Sequence, residues 1–231
     1  MIAMGGNSIS PKGGTGNIEE QFKSTRQAFD GIAHFIDKGY NLCINHGNGP
    51  QVGNEIMRME LTQGIVPTLP IGVCVASTQG SIGYMIQQCL QNKLRDMDVD
   101  REVVTLVSQV IVDKNDGSFK DPTKYVGMRY TKKEADKMTT KHGWNLKEQE
   151  ENQFRRVVPS PMPEFIMHGK SIKALVDRGT IVIASGGGGI PVYNNEFGQL
   201  EGLDAVIDKD YSAAKMGRII RAEELWIITD V

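Results

Sequence analysis

The apolar positions along the chain follow two periodic patterns in alternation. Short runs rich in β-branched residues, such as residues 180–184, are typical of buried parallel strands. Between such runs, apolar residues recur at intervals of three or four, as at Phe29, Ile32 and Ile36, which is helical spacing. Alternating strands and helices indicate βαβ units. The pattern therefore predicts an α/β fold around a mainly parallel sheet.

Turn residues and helix breakers set the boundaries of the predicted elements. The predicted strands are residues 1–4, 42–45, 103–112, 180–184 and 225–229, the last of them buried. The predicted helices lie at residues 18–36, from Pro163 to Gly179 and at residues 210–218. Residues 47–53 open another helix, and residues 77–84 lead into one whose inward face is formed by Ile82, Met85, Ile86, Cys89 and Leu90. Residues 194–198 predict the tip of a hairpin. A single α/β domain over residues 1–231 contains all of these elements.

The pattern changes between residues 113 and 156. This stretch is mostly polar and charged, with recurrent lysines and few candidates for burial. It is either a solvated insertion or a mobile lid that carries a cation to a substrate. Its best-defined turn ends at Lys124, which is therefore the candidate cation. We predict a lid insertion at about residues 113–156.

Composition narrows the class of protein. The chain has 231 residues and a net charge of -2, which gives no general attraction to nucleic acid or to membrane surfaces. No apolar run approaches the roughly 20 residues that cross a bilayer. Cys43, Cys74 and Cys89 lie in apolar surroundings without a Cys-x-x-Cys pair, which favours buried thiols in a reducing compartment. We therefore predict a cytoplasmic protein that binds neither nucleic acid nor membranes.

Glycine-rich turns follow three of the predicted strands, at residues 5–7, 47–49 and 186–189. Backbone N–H groups in such turns, at the carboxyl ends of parallel strands, bind anions without a cluster of charged side chains. Residues 47–53 read G-x-G-x-x-x-G, which is not the dinucleotide fingerprint, and Glu164 stands where a Walker A loop would need its first glycine. The sequence therefore predicts a phosphate site built from several separate turns.

Asp208, Lys209 and Asp210 follow the last of these turns. A lysine supplies a compact positive charge for a phosphate oxygen, and the carboxylates can orient lysines or hold Mg²⁺. Asp208 is explained equally well as an acidic residue favoured at a helix N-terminus. Phosphoryl transfer needs mainly positioning and charge neutralisation, so glycines with a few lysines are sufficient for it. The sequence offers no Ser-His-acid arrangement, and only His46, beside a glycine turn, is kept as a minor histidine candidate.

Seven segments match the motifs of a known family. They run from one end of the chain to the other in family order, at residues 3–7, 46–53, 78–84, 115–124, 157–161, 185–192 and 205–210. On these motifs the chain resembles the carbamate kinases of the amino-acid-kinase superfamily. Relatives that act on acetylglutamate and aspartate are expected to carry a lysine just before the first glycine pair, where this chain has Ala3 and Met4. Lys124 on the lid would substitute for that lysine.

The resemblance implies a three-layer α/β/α sandwich with a small protruding lid subdomain, and a homodimer. It also implies reversible phosphoryl transfer between ATP and carbamate, with Mg²⁺, giving ADP and carbamoyl phosphate. In this family the reaction often proceeds in the direction of ATP formation. The carbamoyl phosphate that it uses comes from the breakdown of arginine or other nitrogen compounds.

Individual residues receive roles from the same resemblance. The transferred group and carbamate would be cradled by Gly5, Gly6, Asn7, Gly47, Asn48 and Gly49. Catalysis would depend on Lys124 and Lys209, which neutralise the transferred group, and on Asp210, which orients the lysines. The nucleotide would be bordered by Gly186, Gly187, Gly188, Gly189, Asp208, Thr229 and Asp230.

Three departures from the family pattern bear on activity. Residues 150–156 differ from the family's segment with glycine and tryptophan, and Met162 stands where a basic residue usually follows Ser-Pro. The chain also ends before the expected C-terminal nucleotide-binding region, with its further lysine, which predicts a shortened protein. Two alternatives therefore stay open: another amino-acid kinase of the superfamily, or a catalytically silent homologue that binds phosphate compounds.

Overall fold

The computed structural model describes residues 1–10 and 14–228, without the side chain of Asn7. Within this part of the chain the strands are β1 (Ile2–Met4), β2 (Cys43–His46), β3 (Val103–Leu106), β4 (Gln109–Val112), β5 (Lys124–Tyr130), β6 (Leu146–Glu150), β7 (Gln153–Val158), β8 (Pro163–Ile166), β9 (Ile181–Ala184), β10 (Ile190–Asn194), β11 (Leu200–Gly202) and β12 (Trp226–Ile228). The α-helices are α1 (Gly6–Ile9), α2 (Ile18–Asp37), α3 (Gly49–Leu61), α4 (Ile71–Asp96), α5 (Lys132–His142), α6 (Gly169–Asp177) and α7 (Lys209–Ile220).

A five-stranded parallel sheet, in the order β12-β1-β2-β9-β3, forms the centre of the fold. Successive side chains of β1 point to opposite faces of this sheet. Ile2 and Met4 share a buried cluster with residues of α2 and α4, whereas Ala3 shares one with residues of α6 and α7. Helices therefore cover both faces, and the predicted three-layer fold around a mainly parallel sheet is confirmed.

Local sequence explains the long helix α2. Its N-cap, Asn17, accepts a hydrogen bond from the Glu20 backbone N–H at 2.9 Å, and Gly39 follows its end with a left-handed φ of 72°. Phe29, Ile32 and Ile36 form a buried stripe on one side of the helix. The stripe is the predicted one, and it packs on the central sheet.

A second sheet, in the order β11-β10-β4-β8, extends the domain beyond β3. The strands β10 and β11 are antiparallel and form the predicted hairpin, with Gly198 in the turn at a φ of 74°. The single strand predicted at residues 103–112 is wrong, because the run divides between two sheets. β3 belongs to the central sheet and β4 to the second sheet, and Ser108 lies between them.

A third, antiparallel sheet, in the order β5-β7-β6, forms a small subdomain with α5. Val126, Tyr130 and Trp144 of this subdomain are buried in one cluster with Val52 and Ile56 of α3. The stretch has few buried residues, as predicted, but these few are spread thinly along the sequence and meet in one cluster through strand pairing.

The subdomain rests on α3 through a contact between two backbones. A Cβ at Gly53 of α3 would overlap the backbone of Gly127 in β5, and Gly127 itself has a φ of 73°. The strand β5 is irregular between Val126 and Arg129, where its register with β7 shifts. Two residues without side chains therefore allow the strand that starts at Lys124 to lie directly on the helix.

Two predicted helix starts are wrong. The helix that residues 77–84 were predicted to lead into already begins at Ile71, because the Ile71 N–H donates to Asp204 Oδ1 at 2.8 Å, a capping interaction with a distant segment. Pro163 begins β8 instead of a helix, since it pairs with Val112 at the edge of the second sheet. The helix α6 starts only at Gly169.

The last predicted strand is present as β12, but it lies at the edge of the central sheet. Trp226 and Ile227 are about half exposed, at 50% and 53%, so the prediction that this strand is buried is wrong. Thr229, the predicted end of the strand, lies outside the described residues. Among the helices of the described chain, none has the length and apolar character needed to span a membrane.

Candidate active site

The three glycine turns meet at one edge of the central sheet. They follow β1, β2 and β9, which are neighbouring parallel strands, so all three turns leave the sheet at its carboxyl edge. Backbone hydrogen bonds tie the strand ends together: the Gly5 N–H donates to Ile228 O at 2.7 Å, and the Gly47 N–H donates to Met4 O at 2.9 Å. Parallel pairing therefore brings together turns that are far apart in the sequence.

A cleft of about 250 Å³ opens above these turns. Its lining combines backbone from the turns with charged side chains from two other segments. The lining residues are Gly6, Gly47, Asn48, Gly49, Pro50, Lys124, Tyr125, Arg155, Gly187, Ile207, Asp208, Lys209 and Asp210. Each of the two lysines and two aspartates that the sequence singled out borders this cleft.

Both lysines of the cleft are held by carboxylates. Lys124 Nζ, on the subdomain, donates to Asp208 Oδ2 at 2.5 Å, and Lys209 Nζ donates to Asp210 Oδ1 at 2.6 Å. The stem of Lys209 passes close to the second turn, since a Cβ at Gly47 would lie 3.3 Å from Lys209 Cδ. The absence of a side chain at Gly47 therefore lets Lys209 approach the turn.

Asp208 has two structural partners. It is the N-cap of α7, and its Oδ1 accepts a hydrogen bond from the Asp210 backbone N–H at 2.9 Å. Burial raises the pKa of this carboxyl, but the hydrogen bond and charge of Lys124, together with the Asp210 N–H and the charge of Lys209, hold the pKa below its usual value. The capping explanation and the site explanation of Asp208 are therefore compatible.

Close packing explains the run of glycines at residues 186–189. A Cβ at Gly186 would overlap the His46 ring, one at Gly187 the Asn48 side chain, and one at Gly188 the backbone carbonyl of Ile207. Of these glycines, Gly187 lines the cleft, while Gly186, Gly188 and Gly189 lie buried behind it. The turn is thus wedged between two neighbouring segments, with only one residue facing the open space.

His46 lies beneath the turns and outside the cleft lining. The ring is buried, which lowers its pKa to about 4, and its Nδ1 lies 3.0 Å from the Gly47 carbonyl oxygen. A neutral imidazole therefore supports the turn at neutral pH.

Of the predicted site residues not yet placed, Gly5 is the described one, and it does not line the cleft. Gly5 is buried at the end of β1, and the Asn7 side chain is outside the described structure. Thr229 and Asp230 also lie outside the described residues.

Arg155 is a residue of the cleft that the sequence analysis missed. It lies on β7, where it pairs with Arg129 of β5, the strand that begins with Lys124. Burial and the nearby charge of Arg129 lower its pKa, and its Nη1 donates to Gln149 Oε1 at 3.2 Å. Pairing of β7 with β5, which starts at Lys124, would have placed Arg155 in the same small sheet as Lys124, but the charged pattern of this stretch concealed the strands.

The Amino acid kinase family model matches residues 1–231. The carbamate kinase of Pyrococcus horikoshii is 45% identical over 233 residues, and that of Staphylococcus epidermidis strain RP62A is 41% identical over 235 residues. Each alignment covers 100% of this chain and 74% of the relative.

Solved structures give the same relationship. Carbamate kinase from Giardia lamblia bound to citric acid has a TM-score of 0.95 at 37% identity, covering 100% of this chain and 74% of that one. The Giardia lamblia enzyme bound to AMP-PNP has a TM-score of 0.87 at 38% identity, covering 100% and 73%. The resemblance drawn from seven sequence motifs is confirmed. The chain belongs to the amino acid kinase family, and within it to the carbamate kinases.

Proposed function

We propose that this chain catalyses reversible phosphoryl transfer between ATP and carbamate, giving ADP and carbamoyl phosphate. The observation that carries the proposal is the convergence of backbone from the three glycine turns with two paired lysines on one cleft of about 250 Å³. Glycine turns and ammonium groups suit a phosphoryl group because they neutralise its charge without taking part in covalent chemistry.

The carbamate side of the cleft is formed by the first two turns. Gly6 and Gly47 approach each other closely, since a Cβ at Gly47 would lie 3.0 Å from the Gly6 nitrogen. Gly49 begins α3, with Pro50 in its first turn, so free N–H groups and the positive end of the helix face the space. We propose that Gly5, Gly6, Asn7, Gly47, Asn48 and Gly49 hold carbamate and the transferred group.

The chemistry requires no side-chain base. An oxygen of carbamate, which is already an anion, attacks the γ-phosphorus of ATP as the bond from that phosphorus to the bridging oxygen of ADP breaks. Negative charge moves onto the leaving ADP oxygen, and Lys124 and Lys209 offset it. Asp208 and Asp210 keep the ammonium groups in place before substrate arrives.

The nucleotide side is assigned to Gly186, Gly187, Gly188, Gly189, Asp208, Thr229 and Asp230. Mg²⁺ enters as part of the nucleotide substrate, since this ion usually keeps water and phosphate oxygens and takes only one or two carboxylates from a protein. Asp208 and Asp210 are the carboxylates of the cleft. The donor set of the cleft suits such an ion, because carboxylate oxygens are the protein ligands that Mg²⁺ takes beside phosphate oxygens and water.

We assign the role of a lid to residues 113–156. Lys124, Tyr125 and Arg155 reach the cleft from this stretch, whereas the glycine turns belong to the main body. The two parts meet at the Gly53 and Gly127 backbones. Movement of the subdomain over α3 would bring the cations to the substrate or withdraw them.

A homodimer and a cytoplasmic location complete the proposal. The outer face of α4 is the proposed dimer surface: Val73 and Tyr84 are exposed there, and a side chain at Gly80 would meet no neighbour within the described structure. Cys43, Cys74 and Cys89 are buried free thiols, which suits the reducing cytoplasm. There the enzyme would serve arginine breakdown by forming ATP from carbamoyl phosphate.

Substrate profiling tests the reaction. ADP formation from MgATP is measured with carbamate, acetylglutamate and aspartate in parallel, under conditions that keep carbamate in equilibrium with bicarbonate and ammonia. The proposed function predicts turnover with carbamate and none above background with the other two. Preference for acetylglutamate or aspartate would assign the chain to another amino acid kinase activity, and nucleotide binding without turnover would make it a silent homologue.

A further inference from the structure

Helix α4 carries two buried polar residues, Thr78 and Gln79, next to the exposed residues Ser77 and Gly80. Thr78 and Gln79 are each 1% exposed. A polar side chain loses its bonds to water when it is buried, so its burial is tolerated only where hydrogen bonds replace them. The partners of these two side chains lie on different turns of the candidate active site.

Thr78 holds the turn after β2. Asn48 Nδ2 donates to Thr78 Oγ1 at 2.8 Å, and Thr78 Oγ1 donates to the Val75 carbonyl of its own helix at 2.7 Å. Asn48 is buried, lines the cleft beside Gly49, and packs against Gly187. The Thr78 hydroxyl therefore fixes the direction of the Asn48 side chain.

Gln79 holds the turn after β9 through Ser108. The Ser108 N–H donates to Gln79 Oε1 at 2.7 Å, and Gln79 Nε2 donates to Ser108 O at 3.1 Å. Ser108 Oγ in turn accepts the Ser185 backbone N–H at 3.0 Å. Ser185 leads directly into Gly186. One amide side chain thus determines where the tetraglycine turn begins.

Ser185 needs this support because its backbone is strained. Its φ of 54° is left-handed, which is unfavourable for a residue with a side chain. Asn45 Nδ2 donates to Ser185 O at 2.9 Å, so both backbone groups of Ser185 are bound by buried side chains. Such a conformation persists only when its surroundings fix it.

We propose that Thr78 and Gln79 are positioning residues for phosphoryl transfer, which rests on the function proposed above. Adjacent residues of one rigid helix fix the turn assigned to carbamate and the turn assigned to the nucleotide. The separation of the two turns is then set by α4. Transfer between two bound molecules depends steeply on such a separation, since a misplacement of about 1 Å can cost roughly 100-fold in rate.

Matched variants separate the contribution of the Thr78–Asn48 hydrogen bond from that of the Gln79–Ser108–Ser185 hydrogen bonds. Thr78→Val removes the hydroxyl at nearly constant shape, and Thr78→Ser retains it. Gln79→Met removes both bonds to Ser108. Ser108→Ala keeps those bonds and removes the hydroxyl, which accepts the Ser185 N–H and donates to Leu106 O at 3.0 Å. Ser77→Ala, on the exposed side of the same helix, is the control.

Steady-state kinetics with carbamoyl phosphate and MgADP distinguish the Thr78 variants from the Gln79 and Ser108 variants by which KM value changes. Thr78→Val is expected to lower kcat by roughly 10- to 100-fold and to raise KM for carbamoyl phosphate, with KM for MgADP within about two-fold of wild type. Thr78→Ser restores the wild-type values. Gln79→Met and Ser108→Ala raise KM for MgADP instead, and their effects are not additive, because both act on the Ser185 N–H through Ser108.

Hydrogen exchange measured by mass spectrometry tests positioning without turnover. Thr78→Val is expected to speed exchange at residues 47–53, and Gln79→Met at residues 185–190, with wild-type exchange in Ser77→Ala. If wild type forms no ATP, the proposed function fails while this readout still decides the role of α4. Unchanged exchange at both turns in Thr78→Val and Gln79→Met would overturn the proposal. It would also be overturned if each variant raised KM for carbamoyl phosphate and KM for MgADP equally, in proportion to its loss of Tm, because that pattern indicates general destabilisation.

Discussion

Lys124 and Asp208 are 84 positions apart in the sequence, yet Lys124 Nζ lies 2.5 Å from Asp208 Oδ2. The pair joins the small subdomain to the start of α7 across the candidate active site. Both side chains are about 30% exposed, at 28% and 30%, so the pair is accessible from the cleft. An entering phosphoryl group would compete with Asp208 for the same ammonium group.

Lys124 is expected to act in catalysis more than in stability. Lys124→Met should lower kcat for ATP formation by about 100-fold or more, because a cation aimed at the transferred group is lost. Tm should fall only modestly, since the pair is partly exposed and Asp208 keeps its hydrogen bond from the Asp210 N–H, which leaves a contribution of on the order of 1 kcal/mol. Lys147→Met is the matched control, as Lys147 pairs with Asp121 on the same subdomain at 2.6 Å. A Lys124→Met enzyme with the rate of the Lys147→Met enzyme would remove Lys124 from the mechanism.

Arg155 is expected to bind the substrate anion. Arg155→Met should raise KM for carbamoyl phosphate by about 10-fold, the size of one lost charge-assisted hydrogen bond. Arg129→Met provides the comparison, because Arg129 is exposed on the neighbouring strand and pairs with Glu150. Initial-rate kinetics on both variants check this. Equal KM values for the two variants would show that Arg155 serves only the subdomain.

Gly187 is expected to require glycine for two separable reasons. Gly187 and Gly198 both have left-handed φ values, 63° and 74°, but a Cβ at Gly187 would overlap Asn48, whereas one at Gly198 would meet no described atom. Gly198→Ala should therefore cost only about 1 kcal/mol of unfolding free energy, for the backbone conformation alone. Gly187→Ala should cost more and should also lower activity. Urea denaturation and rate measurements on both variants test this, and equal losses of stability would contradict it.

His46 is expected to give the fold a pH dependence. Its pKa is about 4 in the folded protein and 6.5 in the unfolded chain, so the unfolded state binds the extra proton between these values. The stabilisation by the neutral ring is complete above pH 6.5 and is lost as the pH falls to about 4, by on the order of 3 kcal/mol. Urea denaturation between pH 7 and pH 4 should show this loss in wild type and in the exposed-site control His34→Gln, but not in His46→Gln. A His46→Gln variant with the wild-type slope would contradict it.

The sequence was sufficient to predict those parts of the site that the order of the parallel strands brings together. Gly6, Gly47 and Gly187 follow β-rich runs, and parallel pairing alone brings such strand ends to one edge. Lys209 starts the helix that follows the β10–β11 hairpin, and its place in the Asp-Lys-Asp run marked it as a candidate. These inferences needed only local patterns and one general rule of α/β topology.

Residues whose role depends on distant partners were not predictable in the same way. Thr78 and Gln79 look like surface residues of a helix until Asn48 and Ser108 are placed beside them. Pro163 satisfies the rule for a helix start, but pairing with β4 overrides it. The buried cluster around Trp144 was also not recognisable from the pattern of apolar positions, because many charged residues separate its members along the chain.

The most direct measurement is ATP formation from carbamoyl phosphate and MgADP, recorded with luciferase against a blank without protein that corrects for spontaneous breakdown. The wild-type chain should form ATP with saturation in both substrates, Lys209→Ala should abolish this activity, and Lys170→Ala, at an exposed lysine of α6, should retain it. No ATP above the blank, or a full rate in Lys209→Ala, would contradict phosphoryl transfer at the cleft.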